Sequence, residues 1–333
     1  MIIIRGIIII LLSHLFDYSY AKEQRLTVYS ARKEHLIQPV FSKFEKKTGI
    51  KVDYLTGKSP ALLERIKAEG SSTKADIFMT VDAGNLWAAA KAGLLAPHNS
   101  KELEKNIPAY LRDPGKLWFG ISVRARTIVY NSKKVKPSEL STYESLADKA
   151  WNKRLCLRTS KKVYNQSLVA MLIDLLGEEK TEQIVRGWVK NLAVPVFSND
   201  TRLMEGIIAG QCDLGIVNSY YFGRMQRDNR HESLRLYWPN QNSFGVHINI
   251  SGAGLTKHAK HPENAKKLLD WLSTTEAQQQ FAGLNLEYPA NPLVEPDPLV
   301  KAWGAFKHSQ KNIAQAGFLQ ANAIKLMDRV GYK

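Results

Sequence analysis

Tyr220 and Tyr221 stand side by side directly after an apolar run at 213–218 (DLGIVN). Tyr164 follows a second run, at 154–159 (RLCLRT), with Asn165 behind it. Both runs read as buried strands and both lead into helical patterns, so three phenols are expected at strand-to-helix junctions. In an alternating α/β layout such junctions face a cleft. Asn218 or Ser219 is suited to cap the helix that Tyr220 opens. A free phenol titrates at about 10 and is a poor ligand for most ions at neutral pH. A small trivalent cation is different: it is hard, prefers anionic oxygen and can displace the phenol proton. Three phenolates would balance its charge, helix N-termini and arginines would favour the anionic form, and reduction or protonation would release the ion. Aromatic packing, or stacking on an organic ligand, suits the same spacing, and spacing alone leaves both open.

Arginines supply a second set of candidates. Arg32 lies just after the apolar run at 26–30 (LTVYS), and Arg124 and Arg126 alternate onto one face of a long strand pattern at 119–131. A guanidinium can hold a small oxyanion with paired hydrogen bonds. A surface ion pair is the ordinary alternative for each. The chain contains no Gly-x-Ser-x-Gly, no Gly-x-x-x-x-Gly-Lys and no His-Glu-x-x-His, and its eight histidines lack metal-ligand spacing. Its two cysteines, Cys156 and Cys212, read as strand residues of the same half. A disulfide and two buried thiols are both open to them, and neither has zinc-site spacing.

The elements that must position these groups alternate. A strand at 26–30 precedes a helix with Leu36, Val40, Phe41 and Phe44 at helical spacing, ended by Gly49. A strand at 51–55 precedes a helix capped by Ser59 with Pro60 at its first position. A strand at 75–80 precedes a helix capped by Asp82. A second alternating block runs from 154 through a short strand at 194–197 to the helix opened by Tyr220 and Tyr221, and helices dominate from Pro262. Short connections argue for a mostly parallel sheet with helices on both faces. Long strand patterns at 119–131 and 245–255 join the blocks, as two hinge strands would. The fold expected is α/β and two-lobed, with residues 22–125 and 250–333 in lobe one and 126–249 in lobe two.

Residues 1–21 carry Arg5, an apolar run from Ile7 to Leu12, and small residues Ser19 and Ala21 before Lys22. That is the anatomy of a cleaved signal peptide, and the run is short of the roughly 20 residues that span a bilayer. Cleavage leaves 22–333, long enough for two domains. Arg5 and Asp17 leave together, so the net charge stays +16. Its cations are scattered among acids, with no basic arm or nucleic-acid motif, which argues against a nucleic-acid partner.

At these residues the chain resembles the periplasmic ferric-ion-binding proteins of bacterial ABC importers, two-lobed type II solute-binding proteins also called bacterial transferrins. The motifs are VYSARKEH (28–35), GKSPALLERIKAEG (57–70), ADIFMTVD (75–82), VRARTIVYN (123–131), LSTYESLAD (140–148), VYNQSLVA (163–170), NSYYFGRM (218–225), YWPNQ (237–241) and HINISGAGL (247–255). They cover nearly all of 24–333. The resemblance implies Fe(3+) held by Tyr164, Tyr220 and Tyr221. It implies a synergistic anion such as carbonate held by Arg32 and Ser160, with Arg124 and Arg126 matching the arginine pair of the hinge-strand motif. One departure stands out. Where many members place His or His-Tyr after the serine-arginine turn, this chain has Lys33 and Glu34, with His35 one step on. The simplest reading is three tyrosines plus a bidentate carbonate, with Glu34 and then His35 as alternative ligands. The implied partners are ferric iron or a ferric chelate and the inner-membrane permease of an iron(III) importer, met as a periplasmic monomer with no catalytic cycle. Two other functions stay in view: metal-free capture of a small oxyanion or organic anion, and a transferase on the same fold with a cysteine nucleophile in the cleft.

Overall fold

The structure, a computed structural model, describes residues 24–333, so the expected signal peptide lies outside the described residues. No described helix is long and apolar enough to cross a membrane. The strands are β1 Arg25–Ser30, β2 Lys51–Thr56, β3 Ile77–Val81, β4 Leu95–Ala96, β5 Phe119–Asn131, β6 Leu155–Cys156, β7 Leu214–Asn218, β8 Leu234–Tyr237, β9 His247–Thr256 and β10 Tyr288–Pro289. They form one mixed sheet in the order β2-β1-β3-β9-β5-β7-β6, with β4, β8 and β10 pairing alongside. Its two ends are parallel, β2-β1-β3 on one side and β7-β6 on the other. Between them β9 and β5 run antiparallel, paired from Phe119↔Ala253 to Arg126↔His247.

Every residue of β5 and β9 is buried. Strands this long and this covered act as central beams. Phe119, Ile121 and Val123 of β5 belong to a first hydrophobic core, with helix Glu34–Thr48, β1 and β3. Ile128 and Tyr130 belong to a second core with helices Val163–Leu176 and Glu178–Lys190. A third, smaller cluster around Leu203, Ile207 and Met225 lies against the same half. Burying each large apolar side chain contributes on the order of 1.5–3 kcal/mol.

The expected elements recur with local differences. Ser59 does not cap its helix; Ser59–Glu69 starts one residue earlier, and the Ser59 hydroxyl instead accepts from Thr80 at 2.6 Å. Asp82 does cap helix Ala83–Lys91, accepting from the Gly84 N–H. The strands expected at 154–159 and 194–197 shrink to β6 and to single bridges at Leu192 and Phe197, because this is the edge of the sheet. Cys156 ends β6, whereas Cys212 lies in the turn before β7, and the two form a disulfide.

The chain crosses between the cores a third time, near its end. Ile313 packs in the first core, helix Ala314–Phe318 touches both Ala83–Lys91 and Val163–Leu176, and helix Gln320–Arg329 enters the second core through Ala323, Leu326 and Met327. Gly317 permits the close approach, since a Cβ there would lie 2.4 Å from that of Trp87. Residues 320–332 pack with the second core, because their apolar face is filled by helices of that half.

Candidate functional site

The second core presents two helix N-termini to one cleft. β7 runs without a loop into helix Ser219–Arg227, which puts Tyr220 and Tyr221 in its first turn. Tyr164 occupies the second position of helix Val163–Leu176. The Tyr220 hydroxyl donates to that of Tyr164 at 3.4 Å, and the rings of Tyr220 and Tyr221 lie 4.4 Å apart. The sequence thus places three phenols together, and all three line a cleft of about 680 Å³.

Arg126 fixes both helix starts from beneath. Its guanidinium donates to Asn165 Oδ1 at 2.9 and 2.5 Å, and to Asp200 and Asn218 at 3.1 Å each. Asp200 also accepts from the Asn218 N–H and from Arg158. Asn218 therefore spends its side chain on Arg126 and does not cap the helix. Arg126 does not line the cleft; it is a buried brace.

Cations ring the phenols. Arg124, Arg158 and Lys162 lie 5.3, 5.4 and 5.1 Å from the Tyr164 ring centre. Arg224 lies 5.0 and 5.4 Å from Tyr220 and Tyr221. Burial raises the pKa of Tyr164, with Arg124 and Arg158 pulling against it, and burial raises that of Tyr220 well above the ordinary phenol value. Tyr164 and Tyr220 are thus biased toward the protonated form, while the surrounding positive charge favours their anions.

The first core supplies the opposite wall. Arg32 Nη1 donates to Ser251 at 2.7 Å and pairs with Glu287 at 3.0 Å. Glu287 also accepts from Ser122 and Asn285. Burial alone would raise the Glu287 carboxyl, but Arg32, Arg124 and these donors hold it below the usual carboxylate range. Arg124 makes one long bond, to Ser251 at 3.4 Å. The Nε and Nη2 groups of both Arg32 and Arg124 are buried with no hydrogen-bond partner. Buried donors left unpaired are costly, so these four point to a missing acceptor, which an oxyanion in the cleft would be. Lys33, Lys58, Lys161 and Lys162 add to the cationic lining.

Other expected residues fall elsewhere. Ser160 does not line the cleft; its N–H donates to the Lys333 carbonyl. Glu34 and His35 are exposed and also outside the lining, and Glu34 accepts from the Tyr54 hydroxyl. Arg158, Lys162, Arg224 and Glu287 were missed. Arg158 lies in the very strand pattern that located Tyr164, where alternation offered a signal; Glu287 sits in a stretch with none. The disulfide leaves no free thiol among the described residues, which removes the cysteine-nucleophile alternative.

Residues 30–279 match the family described as bacterial extracellular solute-binding protein. The chain belongs to that family. This solute-binding protein is 41% identical over 318 residues to iron uptake protein A1 of Synechocystis, covering 94% of this chain and 88% of that one. It is 28% identical to the major ferric iron-binding protein of Neisseria meningitidis serogroup A, over 81% of this chain and 82% of the other. Among solved structures, the Trichodesmium protein (IdiA, FutA) in complex with iron and citrate superposes with a TM-score of 0.90 at 46% identity, covering 93% and 100% of the two chains. The ferric binding protein of Campylobacter jejuni gives 0.87 at 36%, covering 92% and 100%. The family and these relatives are binding and transport proteins, and this chain is one of them, not an enzyme.

Proposed function

We propose that this protein captures ferric iron between two lobes and delivers it to the membrane permease of an ABC importer. Lobe one is built on the first core and lobe two on the second. The observation that carries the reading is the convergence of Tyr164, Tyr220 and Tyr221 on one cleft wall inside a ring of four cations. Three phenolates match a trivalent ion in charge and hardness. Arg124, with Arg32 behind it, holds the accompanying oxyanion on its unpaired N–H groups. Carbonate fits this role. So does the carboxylate of a ferric chelate, because the cleft is far roomier than one ion needs and its lining is rich in lysine. The relatives named above carry iron, which favours this reading over metal-free anion capture. Residues 1–21 are removed on export and the mature protein works in the periplasm as a monomer.

Titration of metal-stripped protein with ferric citrate tests the proposal. A visible phenolate-to-iron absorption band should grow to one equivalent and vanish in Tyr164→Phe and Tyr220→Phe. A band that survives in both variants, or tight phosphate or sulfate binding by calorimetry with no iron uptake, overturns it.

A further inference from the structure

Asp82 is an unusual residue for its place. It is fully buried and adopts φ 80°, a left-handed backbone that side chains other than glycine rarely take. Such a conformation persists only where the surroundings demand it. Its carboxylate accepts from the Gly84 N–H at 3.0 Å and from Asn249 of β9 at 2.9 Å. It also accepts from the Ser167 hydroxyl at 2.7 Å, and Arg124 lies within electrostatic reach. Asp82 belongs to the loop between β3 and helix Ala83–Lys91, both in the first core. Ser167 belongs to helix Val163–Leu176, one turn after Tyr164 and on the same face, in the second core.

We infer that Asp82 and Ser167 form a positioning latch for the metal site. The latch ties the helix that carries Tyr164 to the loop of the opposite half, beside the strand that carries Arg124. No other side chain joins that helix to a carboxylate of the first core among the described hydrogen bonds. The second half secures the same helix through Asn165 and Arg126. The N-terminus of this helix is therefore held from both sides, and the distance from the Tyr164 phenol to the Arg124 guanidinium is set across the hinge. Neither latch residue lines the cleft, so neither touches the ion.

The inference rests on the iron-binding reading, and the test separates the two. Ser167→Ala deletes only the bond between the halves and leaves the two other Asp82 contacts intact, so the variant keeps its fold. Ferric affinity, measured by competition with citrate, should fall about tenfold, as when other supports of a metal ligand are lost. The absorption maximum of the phenolate band should shift, because one phenol is held less well. Ser167→Thr, which restores the hydroxyl, should recover both. Wild-type protein without the band sinks the iron reading itself. A wild-type band with Ser167→Ala unchanged in affinity and maximum overturns the latch alone, as does a lowered melting temperature with affinity and maximum unmoved. Asp82→Asn, which keeps one acceptor oxygen, should give an intermediate loss.

Discussion

The two walls of the cleft are built to opposite rules. The wall on the second core offers three phenol oxygens, with burial raising the pKa of Tyr164 and Tyr220, and it keeps them at helix N-termini among arginines and lysines. The wall on the first core offers fixed positive charge. Glu287, the one carboxylate lining the cleft among the described residues, is already spent on Arg32. On the proposed reading, the difference teaches that affinity for a trivalent ion need not come from permanent negative charge. A site of preformed carboxylates would also hold divalent cations. A site of protonated phenols inside a cationic ring repels ions that cannot pull the protons off.

The sharpest way to break this comparison is to empty the phenol wall. Tyr220→Phe with Tyr221→Phe should lower ferric affinity far beyond the roughly 10- to 100-fold seen when mere supports of a ligand are lost, and competition against citrate would measure it. Because burial raises Tyr164 and Tyr220, iron binding must expel their protons, so affinity should also fall steeply as pH is lowered. On the other wall, Glu287→Ala should cost about 3–5 kcal/mol of stability in a urea melt, since it strands Arg32 as an uncompensated buried charge. Arg124→Gln should weaken iron binding by roughly 10- to 100-fold, in line with about 1.5–3 kcal/mol for a charged hydrogen bond, and should also cost stability because Asp82 and Glu287 lose a buried counter-charge. Added bicarbonate should no longer strengthen binding in that variant. The smallest effect belongs to Glu34→Gln: less than about twofold on affinity, as for an ordinary exposed side chain. A larger loss would move a metal ligand onto the first wall.

Much of this was legible in the residue order. β5 was expected at 119–131 and spans those residues, because an unbroken run of apolar and alternating residues bounded by polar turns has few other uses. The phenols were legible for the same reason: a strand that ends in Asn-Ser-Tyr-Tyr leaves the tyrosines no place but the next helix turn. Arg124 and Arg126 were harder. They share a face of one strand, and no local pattern says which half of a crossing strand each belongs to. Position 126 falls where β5 has entered the second core beside Asp200, and position 124 falls where it has not. Glu287 and Arg158 owe their roles to contacts across 255 and 42 positions of sequence, beyond the reach of spacing rules. The return of the C-terminal helix to the second core was hidden similarly, since its apolar stripe fits either half.

That return has a practical outcome. The Tyr332 hydroxyl donates to the Arg158 carbonyl at 2.7 Å, and the Lys333 carbonyl accepts from Ser160, so the last turn props the strand end from which Arg158 reaches the tyrosines. A protease nick or a bulky label near residue 332 would loosen that prop without touching the cleft. Its symptom would be weaker iron binding together with a lowered melting temperature, because Tyr332 is itself buried in the second core.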